Sequence, residues 1–182
     1  KIGFLGISVG SSLAFIASAS PEISDDVLYI LWLGGYYDIK DYIVDVFSES
    51  IDYNLQVVEY KPDAKIKETM TGNLLELDEV TNKLNSTKDR NELRTILNEA
   101  PLEVRQKLDA LSPRTYTKDV RAKIFAIHDS SDKLVPFTES IHLNEEMKLE
   151  RFVLTEIITH AVPKLDVGTI QAVKEYGKLV LL

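Results

Sequence analysis

Ser8 lies in the stretch Gly6-Ile7-Ser8-Val9-Gly10, between an apolar run, Ile2 to Leu5, and a helix-like stretch, Ser11 to Ala19. A strand, a tight turn and a helix around one serine form a nucleophile elbow, in which small flanking residues let a strained turn lift the hydroxyl above the sheet edge. The same turn places the amide of Val9 at a helix N-terminus, where it can donate to a developing oxyanion. A serine hydroxyl is a poor nucleophile until a base takes its proton, and the base must be held in one tautomer by a third group. Two later segments offer these groups. An apolar run, Lys123 to Ile127, leads into His128-Asp129-Ser130-Ser131-Asp132-Lys133-Leu134-Val135-Pro136, and Arg151 to Ile158 leads into Thr159-His160-Ala161-Val162-Pro163. Asp132 is the best placed acid and His160 the base. Serine, acid and histidine each follow the C-terminal end of an expected strand, the edge where open parallel sheets keep their chemistry.

Other readings of these residues stand beside this one. Asp38, which follows the second expected strand, is the alternative acid. Asp132 can instead cap the helix expected from about Phe137, and Ser8 can be a small residue of a glycine-rich turn. His128 is expected to fix its loop by bonding backbone groups, and His142, inside an expected helix, to face solvent. Trp32, Tyr36 and Tyr37 either line a pocket or serve as ordinary packing.

The elements that must position these groups read as an α/β fold. Ile2 to Leu5, Val27 to Leu33, Lys123 to Ile127 and Arg151 to Ile158 look like buried parallel strands with helical segments between them. After Gly34-Gly35, residues Ile39, Tyr42, Ile43, Val46 and Phe47 recur at helical spacing. Leu74 to Leu84, Glu92 to Leu97 and Leu102 to Leu111 give further helical patterns, while Asn54 to Asp63 has no clear period. The interval 36–111 is therefore expected to be mostly helical, without a definite strand, and to roof the pocket above Ser8. Residues 1–35 and 112–182 are expected to form the sheet core, with Ser112-Pro113 marking the return to it.

Composition narrows the partners. The 182 residues are 45% hydrophobic, which is globular, and carry a formal net charge of −8, which disfavours binding to a phosphate backbone. Without cysteine there is no disulfide framework, thiolate metal site or cysteine nucleophile, and three histidines leave little for a metal cage. We expect no metal, no cofactor and no nucleic-acid partner. Val27 to Leu33 falls far short of the roughly 20 apolar residues that a membrane span requires, so no membrane span and a cytoplasmic location are expected.

The ordered set of Gly-x-Ser-x-Gly, His-x-x-x-Asp-x-x-Val-Pro and a late histidine resembles the C-terminal part of an α/β-hydrolase, from the nucleophile strand to the final helix. The resemblance implies a mostly parallel sheet with the N-terminal strands absent and a helical cap inserted at 36–111. It implies a serine esterase-like or lipase-like hydrolase: Ser8 as nucleophile, Val9 as oxyanion donor, Asp132 as acid, His160 as base, and a small acyl compound as substrate. A peptidase or thioesterase of the same fold, or a non-catalytic remnant that binds a partner, are the alternatives. Asp129 and Thr159 stand where that family usually has glycine before the acid and before the base. No glycine-rich His-Gly segment that supplies a second oxyanion donor is present, and the chain starts with Lys1 at the nucleophile strand. An N-terminal half is therefore expected to be missing, and the first strand to pair with that half or with a second copy.

Overall fold

The computed structural model describes residues 1–72, 78–160, 162–164, 168, 174–175 and 177–178. Four strands, β1 (Ile2–Ile7), β2 (Val27–Leu33), β5 (Lys123–Asp129) and β6 (Arg151–Thr155), form one parallel sheet in the order β1-β2-β5-β6. The register sets Gly6 beside Trp32 and Trp32 beside Ala126, so the C-terminal ends of the first three strands line up at one edge. Parallel neighbours require a crossover, and the chain provides three: α1 (Val9–Ser18), the long interval after β2, and α7 (Thr138–Met147).

Because strand side chains alternate, the sheet has two apolar faces with different fates. On one face Ile30, Trp32, Ile124 and Ala126 are buried with Phe15 of α1 and Leu143 of α7. Phe15 meets the Trp32 indole edge-on at 6.1 Å. On the other face Leu5, Tyr29, Leu31, Leu33, Phe125 and Ile127 line an open apolar depression of about 520 Å³. Leu5 is 63% and Leu31 38% exposed there. Strands that are apolar on both sides belong to a sheet covered on both faces, and among the described residues no strand pairs with the outer edge of β1.

The interval between β2 and β5 has its own core. α2 (Ile39–Ser48) buries nearly its whole length, and Ile39, Ile43, Val46 and Phe47 pack with Leu84, Leu93, Leu97 and Leu108 from α4 (Asp78–Asn85), α5 (Arg90–Asn98) and α6 (Leu102–Leu111). The short α3 (Ala64–Met70) adds Met70. The interval is not free of strands, contrary to the sequence-based expectation. β3 (Ser50–Tyr53) and β4 (Gln56–Glu59) make an antiparallel hairpin in the segment that showed no period. Asn54 and Leu55 turn it, both at positive φ, and the leucine there conceals the usual turn signature. Arg90 secures the hairpin by reaching Asp45 of α2 at 2.7 Å and Asp52 of β3 at 2.9 Å. Of the expected helix Leu74 to Leu84, residues 74–77 lie outside the described residues.

The fourth strand is also shorter than expected, ending at Thr155 instead of Ile158. The buried carboxylate of Glu175 accepts the Thr155 hydroxyl at 2.8 Å and the Glu156 amide at 3.3 Å, drawing the chain out of the ladder. Two two-residue strands, β7 (Ile158–Thr159) and β8 (Val162–Pro163), then pair antiparallel, and His160 opens the turn between them with φ 58°.

Candidate active site

The elbow forms where β1 ends. Ser8 has φ 54° and ψ −133°, outside the regions open to side-chain-bearing residues. Its amide donates to the Leu33 carbonyl at 2.8 Å, and its carbonyl accepts the Ser11 amide at 2.9 Å to start α1. Gly6 is required because a Cβ there would lie 2.3 Å from the Ser11 Cα. Gly10 is not, since a Cβ there meets nothing within 4 Å. The turn therefore rests on the first glycine of the motif alone. Val9 opens α1, so its N–H belongs to the first turn, which has no intrahelical acceptor. The Ser11 hydroxyl bonds both the carbonyl and the amide of Leu33 at 3.1 Å, tying the elbow helix to the end of β2.

Asp132 and His160, taken from different strand ends, meet. Nδ1 of His160 lies 2.6 Å from Asp132 Oδ2. The other carboxylate oxygen, Oδ1, accepts the amides of Leu134 at 2.7 Å and Val135 at 3.1 Å. Burial pushes the Asp132 carboxyl upward, but contacts with the His128 and His160 rings outweigh it and hold the group well below the usual carboxylate range. An ionised Asp132 only accepts, so His160 Nδ1 carries the hydrogen of this pair. Gly34, at φ 59°, closes the site from the end of β2: a Cβ there would stand 3.4 Å from Asp132 Oδ2 and 3.6 Å from His160 Nδ1. Ser8 is half-buried, and among the described residues its hydroxyl makes no hydrogen bond, to His160 or to any other group. Catalytic hydrogen bonds are often long in the absence of substrate.

Asp38 is not brought to His160. It caps α2, accepting the Lys40 amide at 2.9 Å, and it faces Ser112 at 3.3 Å and Arg114 at 3.4 Å. As an N-cap it is committed to the helix terminus, which explains why it follows β2 without serving the histidine. Asp132 does not cap α7; its carboxylate is taken up by its own loop and by His160. His142 is half-buried and lines a polar cavity of about 460 Å³ with Tyr37, Asp41 and Arg114, so it does not simply face solvent. Tyr36 and Trp32 belong to the two cores.

Three groups escaped sequence reasoning. Asp129, fully buried, accepts the Ser131 amide at 2.9 Å and the His160 amide at 3.2 Å, so the residue in place of the usual glycine braces His160. Glu139 on α7, also fully buried, accepts the amides of Tyr37 at 2.7 Å and Asp38 at 2.9 Å. Tyr42 of α2 donates its hydroxyl to the Leu134 carbonyl at 2.5 Å, joining the helical interval to the acid loop. An Asp-x-Ser pair after a strand was a visible sign of an Asx-type turn at Asp129. Nothing local marks Glu139 or Tyr42.

Sheet, elbow and acid–histidine pair together define an α/β-hydrolase type of protein. A family model described as BD-FAE, an α/β-hydrolase-type family, matches residues 1–147, and the chain belongs to that family. No curated protein sequence matches the chain significantly. Among solved structures it is similar to the acylaminoacyl peptidase of Pyrococcus horikoshii, at 18% identity and a TM-score of 0.52, over 100% of this chain and 23% of that one. It is also similar to the meta-cleavage product hydrolase of Pseudomonas fluorescens IP01, at 16% identity and a TM-score of 0.46, over 100% of this chain and 63% of that one. A hydrolase from Oleispira antarctica shares 15% identity, with a TM-score of 0.48, over 98% of this chain and 65% of that one. The chain thus spans less than two thirds of the length of these structures. The fold is that of a hydrolase, and among the described residues no helix is long and apolar enough to cross a membrane.

Proposed function

We propose that this chain carries the catalytic machinery of a serine hydrolase that cleaves a carboxylic ester or related acyl substrate through an acyl-enzyme. The observation that carries the reading is the 2.6 Å pair between Asp132 and His160, formed across two strand ends on the same sheet edge as the elbow serine. In this reading Ser8 Oγ attacks the acyl carbon while His160 Nε2 takes its proton, and the Val9 N–H donates to the oxyanion. His160 then returns the proton to the leaving alcohol, and water repeats the sequence on the acyl-serine. Asp132 stays ionised throughout and orients the ring. The helical interval 36–111 acts as the cap that sets substrate size, since Tyr42 ties it to the acid loop.

The outer edge of β1 and the open face around Leu31 form a covered surface in the working protein, shared with a further strand and helices or with a second copy. Labelling with a fluorophosphonate probe tests the mechanism: the intact chain should be modified at Ser8, and Ser8→Ala should not. A panel of chromogenic esters, thioesters and peptide anilides separates ester hydrolysis from thioesterase or peptidase activity. Absence of labelling in a chain that folds and keeps the Asp132–His160 pair would leave the non-catalytic binding module.

A further inference from the structure

His128 lies on β5, and its ring is fully buried. Nε2 stands 3.1 Å from the Val135 carbonyl oxygen and 3.5 Å from Asp132 Oδ2, the oxygen that also receives His160 Nδ1. Both neighbours of Nε2 only accept, so Nε2 carries the hydrogen. On the opposite side of the ring, Nδ1 lies 2.6 Å from Ser140 Oγ, which accepts the Trp32 indole N–H at 3.0 Å. The indole is a donor only, which leaves the Ser140 hydrogen for His128 Nδ1. A doubly protonated His128 would strand that hydrogen in a buried site. The chain Trp32–Ser140–His128 thus has one consistent arrangement of hydrogens, and it ends on the acid loop.

We infer that His128 is a positioning residue for the Asp132–His160 pair: a neutral histidine, locked as the Nε2–H form by Ser140 and Trp32, whose N–H holds the Val135 end of the acid loop. The positive end of that N–H also faces the carboxylate oxygen that orients His160. This deepens the proposed hydrolysis, on which its catalytic meaning rests. A dipole aimed at Oδ2 draws charge from the carboxylate that would otherwise stabilise a protonated His160. His128 therefore restrains the basicity of His160.

The other titratable groups around the pair come from separate elements. Asp129 takes the His160 amide at 3.2 Å, and Lys164 Nζ lies 3.8 Å from its other oxygen. Tyr42 of α2 and Tyr60, before α3, lie within the field of Asp132. The substitution alters none of these side chains, so the comparison isolates the His128 ring.

The chain has three histidines, so ring nitrogens labelled with ¹⁵N can be followed one by one by NMR in the full 182-residue chain. In the wild type, His128 should show a protonated Nε2 and a bare Nδ1. His128→Leu should move the ring titration of His160 to higher pH than in the wild type, and His128→Gln, which restores an N–H donor, should bring it back toward the wild type. A purely structural role predicts the opposite: a loosened loop would weaken the pair, and the His160 pKa would stay or fall. That outcome overturns the inference. Where His128→Leu does not fold, the wild-type spectrum decides, since an Nδ1–H or doubly protonated His128 also overturns it. Fluorophosphonate labelling of the same samples keeps the two readings apart. The expected ring states without labelling of Ser8 would remove the hydrolase reading while leaving the positioning geometry standing.

Discussion

The Asp129 carboxylate holds the His160 backbone amide at 3.2 Å, so the side chain found where glycine is usual is bonded to His160 itself. His160 needs such a brace, because its φ of 58° is unfavourable for a residue with a side chain. Asp129→Ala should leave the His160 and Ser131 amides without their acceptor and let the turn relax. We expect the rate of Ser8 labelling to fall by about tenfold or more, the equivalent of ~1.4 kcal/mol of lost alignment. Asp129→Asn keeps an acceptor oxygen and should lose less. Equal labelling rates in Asp129→Ala and wild type would mean that the brace has no bearing on reactivity.

Ser8 stores strain in the turn between β1 and α1. At φ 54° and ψ −133° a glycine is comfortable, whereas serine and alanine are not. Ser8→Gly should therefore be more stable than Ser8→Ala by about 1 kcal/mol or more in urea unfolding, with both inert to the probe. Equal stability of the two variants would argue against strain at this position.

Asp132 links the site to pH. Its carboxyl is held below its unfolded value by the His128 and His160 rings despite burial, so the ionised form favours the folded state. That contribution is fully present above the ordinary carboxylate pKa, about 4, and fades as the pH falls from there toward the lowered folded value. Asp132→Asn removes this part of the acid sensitivity. The difference in unfolding free energy between wild type and Asp132→Asn should shrink on acidification below about pH 4, as followed by urea titrations at a series of pH values.

Glu139 is predicted to behave as a neutral acid. Burial pushes its carboxyl well above the ordinary value, and nearby Asp45 adds to this, while one oxygen holds the amides of Tyr37 and Asp38. Glu139→Gln preserves an acceptor for both amides and should cost less than about 1 kcal/mol. Glu139→Ala, which strands two buried donors at the start of α2, should cost about 3 kcal/mol in chemical unfolding.

The open sheet face predicts association. Leu5 and Leu31 are 63% and 38% exposed on an apolar surface beside an unpaired strand edge. The 182-residue chain alone should bind hydrophobic dyes and scatter light as an associated species. Glu substitutions at Leu5 and Leu31 should lower both signals without altering probe labelling at Ser8. A monodisperse monomer with no dye binding would show that the face needs no cover.

Much of the fold was legible from local pattern. Apolar runs of strand length separated by helical periods mark the order β1, α1, β2, helices, β5, α7, β6, because burial on both faces of a parallel sheet demands continuous apolar strands. Ser8 was visible because a strand–turn–helix with a close glycine is a local constraint, as Gly6 against Ser11 shows. Asp132 and His160 were visible as polar residues just past strand ends. Which acid meets the histidine was not, because that pairing joins positions 28 residues apart in sequence, and Asp38 offered the same local signal until its helix claimed it. The β3–β4 hairpin escaped because Leu55 carries its turn, and the end of β6 because Glu175, 20 residues on, draws the chain away. The braces of Asp129 on His160, Glu139 on α2 and His128 on Asp132 lie outside what the sequence determines alone. Each is a hydrogen bond or charge contact set by how strands and helices stack, and only the folded chain brings those groups within reach.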